Sequence, residues 1–342
     1  MGDRALKTYR CISASPLPPK VKFGIVKAMR NLAYAVRRDK TRHACLIMSN
    51  EGYGHEYWLK EYSGYRGDVF AQIEHGVYFG RNVSPHVNVI PNEWEISAFL
   101  TYGPYRKKLI CEAYPNALVQ AVGPYIQYVK TDENYREELR GSLQPGQRTL
   151  VLFPAHSVSN GYIQFSHEAL IQKCIGYARN RGINNLIVCL SPMDINGSLA
   201  NAYRENGFVV ATCGNVANDF LPRQRAIFEL ADITISNAMG THIGYSIYMG
   251  VPHRIIEPVS LDAKVAGRCI APGVDLRAYS MERDLFLEAF YIDDEGRQTT
   301  PLQQNLYEEY WGGNICLEPD EMFEVLEACF THRGSSKMIT RK

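Results

Sequence analysis

The sequence predicts an α/β protein with two doubly wound, parallel-sheet halves, and three observations lead there. Short apolar runs rich in β-branched residues recur at 149–153 "TLVLF", 185–190 "NLIVCL", 208–212 "FVVAT", 232–235 "DITI" and 253–256 "HRII". Between them lie segments with helical spacing: "HEALIQKCIGYARN", "GSLANAYREN", "PRQRAIFELA" and "THIGYSIYM". Strand starts fall about 20 to 36 residues apart, which suits strand–helix–strand units whose helices cover both faces of a parallel sheet. This second half is Rossmann-like.

The first half is less regular but of the same kind. Candidate strands are "ACLIMS" (44–49), "VFAQIE" (69–74), "EISAFLTYG" (95–103) and "ALVQAVG" (117–123), each followed by Gly, Pro or polar turn residues. The polar segment "KTDENYREELRGSLQPGQR" (130–148) reads as helix plus linker. The expected organisation is a Rossmann-like domain over 1–130, a linker over 131–148, a second Rossmann-like domain over 149–330 and a tail over 331–342. The two domains are expected to face each other across a cleft. Near the end, "EPDEMFEVLEACF" has the pattern of a capped amphipathic helix.

With 342 residues, two domains are the natural expectation. The formal net charge of +1 makes the whole molecule no general polyanion binder, and no nucleic-acid partner is expected. The charge is uneven, because residues 1–50 carry eleven Lys and Arg against Asp3 and Asp39. Within that region "VKFGIVKAMRNLAYAVRR" is a basic, amphipathic helix candidate, suited either to a membrane surface or to packing on its own domain. Nine cysteines, an odd number with no C-x-x-C, argue for a reduced protein without a disulfide framework or cysteine zinc site. With no signal peptide and no apolar stretch of membrane-spanning length, the expected location is cytoplasmic, peripheral on the inner membrane face if the basic segment binds there.

In open parallel sheets ligands sit beyond the carboxyl ends of the strands, so the residues there are the candidates. After 149–153 come His156 and Ser157, with Ser159 and Asn160; after 185–190, Ser191 and Asp194; after 208–212, Gly214 and Asn215. Ser236, Asn237, Gly240, Thr241 and His242 follow 232–235, and Glu257 follows 253–256. Small, polar tips of this kind suit a phosphate-bearing ligand. Thr241, as N-cap or first-turn residue of "HIGYSIYM", would leave backbone N–H groups pointing outward, a ready anion seat. The alternative is that Gly240 only turns the chain and Thr241 only caps the helix.

The chain has no G-x-x-x-x-G-K-[ST], no G-x-G-x-x-G after its first strand, no G-x-S-x-G, no H-E-x-x-H and no D-x-D pair. No metal and no bound cofactor are therefore expected. The segment "ADITISNAMGTHIGYSIYMGVPHRII" resembles the donor-binding domain of GT-B-fold glycosyltransferases and related hexosamine 2-epimerases: strand, small-residue turn, helix, then Gly-x-Pro into the next strand. "VFAQIEHGVYFG" is similar to the His-Gly strand end of the same fold, as in polyol-phosphate transferases and bacterial capsule or lipopolysaccharide glycosyltransferases. The resemblance implies a transferase taking a nucleotide-sugar co-substrate to a surface-polysaccharide or lipid-linked glycan acceptor. In many UDP-sugar enzymes of this fold a ribose-gripping Glu stands five or six positions before the Gly of Gly-x-Pro. Here those positions hold Tyr245 and Gly244, so a CMP- or CDP-linked donor is preferred to a UDP-linked one.

An inverting transfer needs a base for the acceptor hydroxyl. His75 is the preferred candidate and Glu51 the second. Glu74 is adjacent to His75, and strand alternation lets only one of the two face the cleft. The aromatics Tyr53, Trp58, Tyr62, Tyr65, Tyr78, Phe79, Tyr102 and Tyr105 suit stacking on sugar rings, or else an ordinary core. The competing expectations are a nucleotide-sugar epimerase or hydrolase, a polyol-phosphate transferase, or a non-catalytic glycan- or nucleotide-binding protein on the same fold.

Overall fold

A computed structural model of the chain describes residues 50, 53–81, 83, 98–155, 165–192, 194–214, 218–256, 276–291 and 298–332. Helix α1 (His55–Ser63) leads to strand β1 (Gln72–Ile73), then β2 (Ala98–Thr101), α2 (Pro104–Ala113) and β3 (Leu118–Ala121). These strands form one parallel sheet in the order β1-β2-β3, with Gln72 opposite Phe99 and Ala98 opposite Leu118. A short 3₁₀ turn (Tyr125–Tyr128) and α3 (Glu133–Gly141) connect to the second half. Asp132 caps α3 by accepting from the N–H of Tyr135 at 3.0 Å, so the expected linker is in part a defined helix.

The second half runs β4 (Thr149–Phe153), α4 (His167–Asn180), β5 (Asn185–Cys189), α5 (Ser198–Glu205), β6 (Phe208–Ala211), α6 (Phe220–Glu229), β7 (Ile233–Ser236), α7 (Thr241–Tyr248) and β8 (His253–Ile255). All five strands are parallel, in the order β6-β5-β4-β7-β8. The α/β, parallel-sheet expectation is thus met in both halves, and α4 falls on the residues its pattern marks. The expected strand over 44–49 and the basic helix candidate over 21–38 lie outside the described residues.

Strand β1 is much shorter than its apolar run. Val69, Phe70 and Ala71 are buried, yet the ladder takes only Gln72 and Ile73. The Asn50 amide holds this stretch instead: Nδ2 donates to the Ala71 carbonyl (2.8 Å) and Oδ1 accepts from the Ile73 N–H (2.9 Å). A single side chain thereby meets backbone groups that would otherwise be buried without a partner.

Strand alternation divides the core. Leu150 and Leu152 of β4 join an apolar cluster with Leu170, Ile171 and Tyr203 from α4 and α5. Val151 and Phe153 face the other way, into a cluster that continues through Tyr245 and Trp311 to Ile73 and Leu100 of the first sheet. Both faces of the second sheet are therefore covered, as a parallel sheet requires.

The chain ends with α8 (Leu276–Phe290), α9 (Pro301–Trp311) and α10 (Pro319–His332). Helix α9 opens on a capping box between Thr300 and Gln303, with Pro301 in its first turn. It packs on α2 and α7, and α10 packs on α1, β2 and β3. Helix α10 thus lies against the first sheet, and α9 against the first-half helix α2. Close backbone approach is the reason the sequence signal is faint: a side chain at Gly103 would come within 2.6 Å of the Glu309 carbonyl and the Gly312 nitrogen.

Candidate functional site

The second sheet reverses its strand order between β4 and β7, the point where ligands of open α/β sheets gather. The loops leaving these two strands are tied together there, since the Ala155 N–H donates to Asn237 Oδ1 at 2.6 Å. That bond fixes the orientation of the amide. Asn237 is only 1% exposed, and its Nδ2 has no hydrogen-bond partner among the described residues. A buried donor of this kind is costly unless something accepts from it.

The segment from Ser236 to Pro252 wraps this point. Gly240 is the N-cap of α7, with an extended backbone (φ −176°) that any residue could adopt. Its lack of a side chain serves packing instead: a Cβ there would lie 2.7–2.8 Å from the imidazole of His242. That imidazole stacks on Phe153, at the end of β4, with centroids 5.2 Å apart and planes 12° from parallel. Thr241 is the first helical residue, not the cap. Its hydroxyl accepts from the N–H of Val77, across in the first half, at 3.0 Å. Helix α7 ends in a Schellman arrangement, with Gly250 N–H on the Ile247 carbonyl and Val251 N–H on that of Ser246, both at 2.9 Å. Gly250 has φ +72°, a conformation glycine adopts without strain, and Pro252 then starts the chain into β8.

The Gly244 and Tyr245 positions are occupied by packing. A side chain at Gly244 would overlap the Trp311 indole, whose Nε1–H donates to the Thr241 carbonyl at 3.1 Å. The Tyr245 hydroxyl meets that of Tyr102 at 3.0 Å. Neither position leaves room for a ribose-gripping carboxylate.

On the first-half side, the segment following β1 carries His75. Tyr53 stacks on its ring (5.3 Å, 17°), and Tyr53 in turn meets Phe220 of α6 edge-on at 4.6 Å. The hydroxyl of Tyr78 lies 3.0 Å from His75 Nδ1 and 3.4 Å from Nε2. The segment is pinned at both ends. Before it, buried Glu74 pairs with buried Arg106 and accepts from the Thr101 hydroxyl at 2.5 Å. After it, Glu282 of α8 accepts from the Gly80 N–H and the Tyr105 hydroxyl. Glu74 therefore carries a structural ion pair inside the fold, while His75 is partly exposed.

The remaining candidates divide clearly. Glu51, His156, Ser157 and Glu257 lie outside the described residues. Asn237, Gly240, Thr241 and His242 come together at the switch point. The hydroxyl of Ser236 is held inside the fold, donating to the Ala238 carbonyl (2.8 Å) and meeting His253 Nε2 (3.0 Å). Ser191 and Gly214 follow β5 and β6, on the other side of β4 from β7. There Ser191 anchors a turn through its carbonyl, and Gly214, at φ +70°, donates to the Thr212 hydroxyl at 3.2 Å.

Of the expected stacking aromatics, Tyr65 and Tyr102 are core residues, and Phe79 packs on Phe286, Tyr310 and Trp311. Tyr53 and Tyr78 flank His75. Sequence reading missed His55, in the same "GYGHEYW" stretch that yields Glu51. It is buried against Tyr125 at 4.5 Å, and burial, helped by His75, lowers its pKa to about 3. His253 was also missed. Its ring lies between the hydroxyls of Thr234 (2.8 Å) and Ser236, and burial holds its pKa well below the ordinary value, with His242 and Arg254 adding to the effect. Among the described residues no helix is long and apolar enough to cross a membrane.

No protein-family model matches the chain, and no curated protein sequence is similar to it. Among solved structures it is similar to the wall teichoic acid polymerase TagF, at 11% identity over 70% of this chain and 58% of that one, with a TM-score of 0.37. The H444N variant of that polymerase gives 10% identity over 76% and 67%, with a TM-score of 0.36. The chain thus spans about six tenths of the length of the first of these structures.

Proposed function

We propose that the protein is a metal-independent transferase of the GT-B type. In this reading it moves a sugar from a CMP- or CDP-linked donor to a surface-polysaccharide or lipid-linked glycan acceptor, with inversion. The observation that carries the reading is the switch point between β4 and β7. A helix N-terminus, a buried amide donor on Asn237 and the His242 ring converge there, and Thr241 connects them to the segment bearing His75. The backbone N–H groups at the start of α7 would hold the donor phosphate, where the helix dipole favours negative charge. His75 would take the proton of the acceptor hydroxyl as that oxygen attacks the anomeric carbon. The electrons of the breaking bond would then leave on the nucleotide phosphate. The packing at Gly244 and Tyr245 supports a donor other than a UDP-sugar.

Thermal denaturation of the full chain with CMP, CDP, UDP or GDP tests the reading. A cytidine nucleotide at a hundredfold its Kd should stabilise the fold by about 2.7 kcal/mol. UDP should do less. His75→Ala should remove transfer and keep nucleotide binding. No response to any nucleotide would overturn the reading, and a stronger response to UDP than to CMP or CDP would overturn the donor assignment.

A further inference from the structure

The structure assigns a reversible modification site to Cys189 and Cys213: two neighbouring thiols that a peroxide oxidises to one disulfide and a dithiol reduces again. Their sulfurs lie 3.6 Å apart. The second sheet brings them together. Cys189 is the last residue of β5 and stands opposite Ala211, the last of β6. Cys189, Ala211 and Cys213 all join the apolar cluster on the Val151 and Phe153 side of the sheet. Cys111, Cys174, Cys316 and Cys329 have no second sulfur beside them among the described residues. The backbone between the two strand ends is fixed. The Tyr135 hydroxyl of α3 accepts from the Thr212 N–H and donates to the Thr212 carbonyl, both at 2.9 Å. Arg223 lies beside Gly214, with Asp132 3.4 Å from its Nε.

A sulfur–sulfur bond is about 2.05 Å long, so the two atoms must approach by about 1.6 Å, divided between side chains that already converge. The two thiols take different roles. Cys213 is buried and Cys189 half-buried, so a small oxidant in solvent meets Cys189 first. The hydrogen bond to Cys189, and then burial, raise the Cys213 pKa well above its ordinary value, against the pull of Arg223. Cys213 therefore keeps its proton until Cys189 has reacted. The Cys189 thiolate attacks one peroxide oxygen: a sulfur–oxygen bond forms, the oxygen–oxygen bond breaks, and hydroxide leaves behind a sulfenic acid. The Cys213 sulfur then attacks that of Cys189. The sulfur–sulfur bond forms, the sulfur–oxygen bond breaks, and the departing hydroxide takes the Cys213 proton to become water. Two thiols lose two electrons, and the peroxide is reduced to two waters. The bond would join the end of β5 to the chain leaving for α6, whose Phe220 packs on Tyr53 beside His75.

The test is thiol mapping of the full chain after brief treatment with hydrogen peroxide, the remaining free thiols being alkylated before digestion and mass spectrometry. A linked Cys189–Cys213 peptide, lighter by two hydrogen atoms than its two free parts, should be the main product. Dithiothreitol should abolish it. In Cys213→Ser the link should be lost and Cys189 captured by dimedone as its sulfenic acid, whereas in Cys189→Ser the Cys213 thiol should stay free. Recovery of both thiols in alkylated form, under peroxide that oxidises the exposed Cys111 and Cys316, would overturn the proposal. So would Cys189 carried on to sulfinic acid with Cys213 still free. The pair needs no nucleotide, so either failure leaves the transferase reading untouched.

Discussion

In the second sheet the buried middles of the central strands are mostly apolar: Val151 and Leu152 in β4, Ile187 and Val188 in β5, and Ile233 and Ile235 in β7. In and beside the first sheet, Gln72, Thr101, Glu74 just after β1 and Arg106 on α2 are equally buried. Around the first sheet, buried charged and polar groups must each find a partner, whereas in the second such groups are the exception, as where His253 pairs with Thr234 and Ser236. Interchangeable apolar contacts leave a periodic trace in sequence. A specific pair such as Glu74 and Arg106 leaves none, since any two charges at those positions would read the same.

The sharpest way to break this contrast is at the seam where the two halves share a helix contact. Installing the carboxylate of UDP-sugar enzymes, Gly244→Glu, would drive a side chain into Trp311 at a site that cannot expand. The expected loss exceeds the roughly 1–3 kcal/mol usual for overpacking and should leave little folded protein by circular dichroism at 37 °C. Next comes Arg106→Met, which strands a buried carboxylate at a cost of about 3–5 kcal/mol by urea denaturation. The double change Glu74→Gln with Arg106→Met should recover much of that. If it does not, the pair is not what holds the first sheet.

The two buried histidines sharpen the comparison further. Both have folded pKa values below the unfolded 6.5, so each contributes stability that is complete above about pH 6.5. That contribution is lost as pH falls, for His55 over the window down to about 3. Each adds a slope of at most about 1.4 kcal/mol per pH unit in that window. His55→Phe should flatten the acid limb of the stability curve; an unchanged slope would mean that His55 is not buried neutral. At neutral pH this variant should cost little, because His55 Nδ1 has no hydrogen-bond partner among the described residues. His253→Phe should cost more, since it removes two buried hydrogen bonds, to the hydroxyls of Thr234 and Ser236. The smallest expected effect is Thr241→Val, about 1 kcal/mol for the acceptor lost by Val77, read by thermal melting.

Legibility follows the same physical line. The five second-sheet strands and their helices are visible because apolar runs alternate with helical spacing, and the carboxyl ends then mark Asn237, Gly240, Thr241 and His242 by topology alone. That the Ser236 hydroxyl turns toward His253 is not legible, because strand alternation does not set where a hydroxyl at a strand end points. In the first half the strand before His75 is legible, but its supports are not. Tyr78 and Tyr53 read as two aromatics among many, and Glu282 lies some two hundred residues from the segment it holds. The return of α10 to the first sheet and of α9 to α2 has no local signal at all. It depends on glycines whose role is to be absent of side chain where two backbones pass.

That return sets an order of events. The second sheet can assemble from residues as they leave the ribosome, each strand followed closely by the helix that covers it. The first sheet is made earlier but lacks α10 until about 200 further residues are added after β3. At about 5–20 residues per second the wait is on the order of 10–40 s. The half that is translated first is therefore completed last, and for the whole interval Tyr65 and Phe70 lack the contacts that Phe323 and Phe330 of α10 give them.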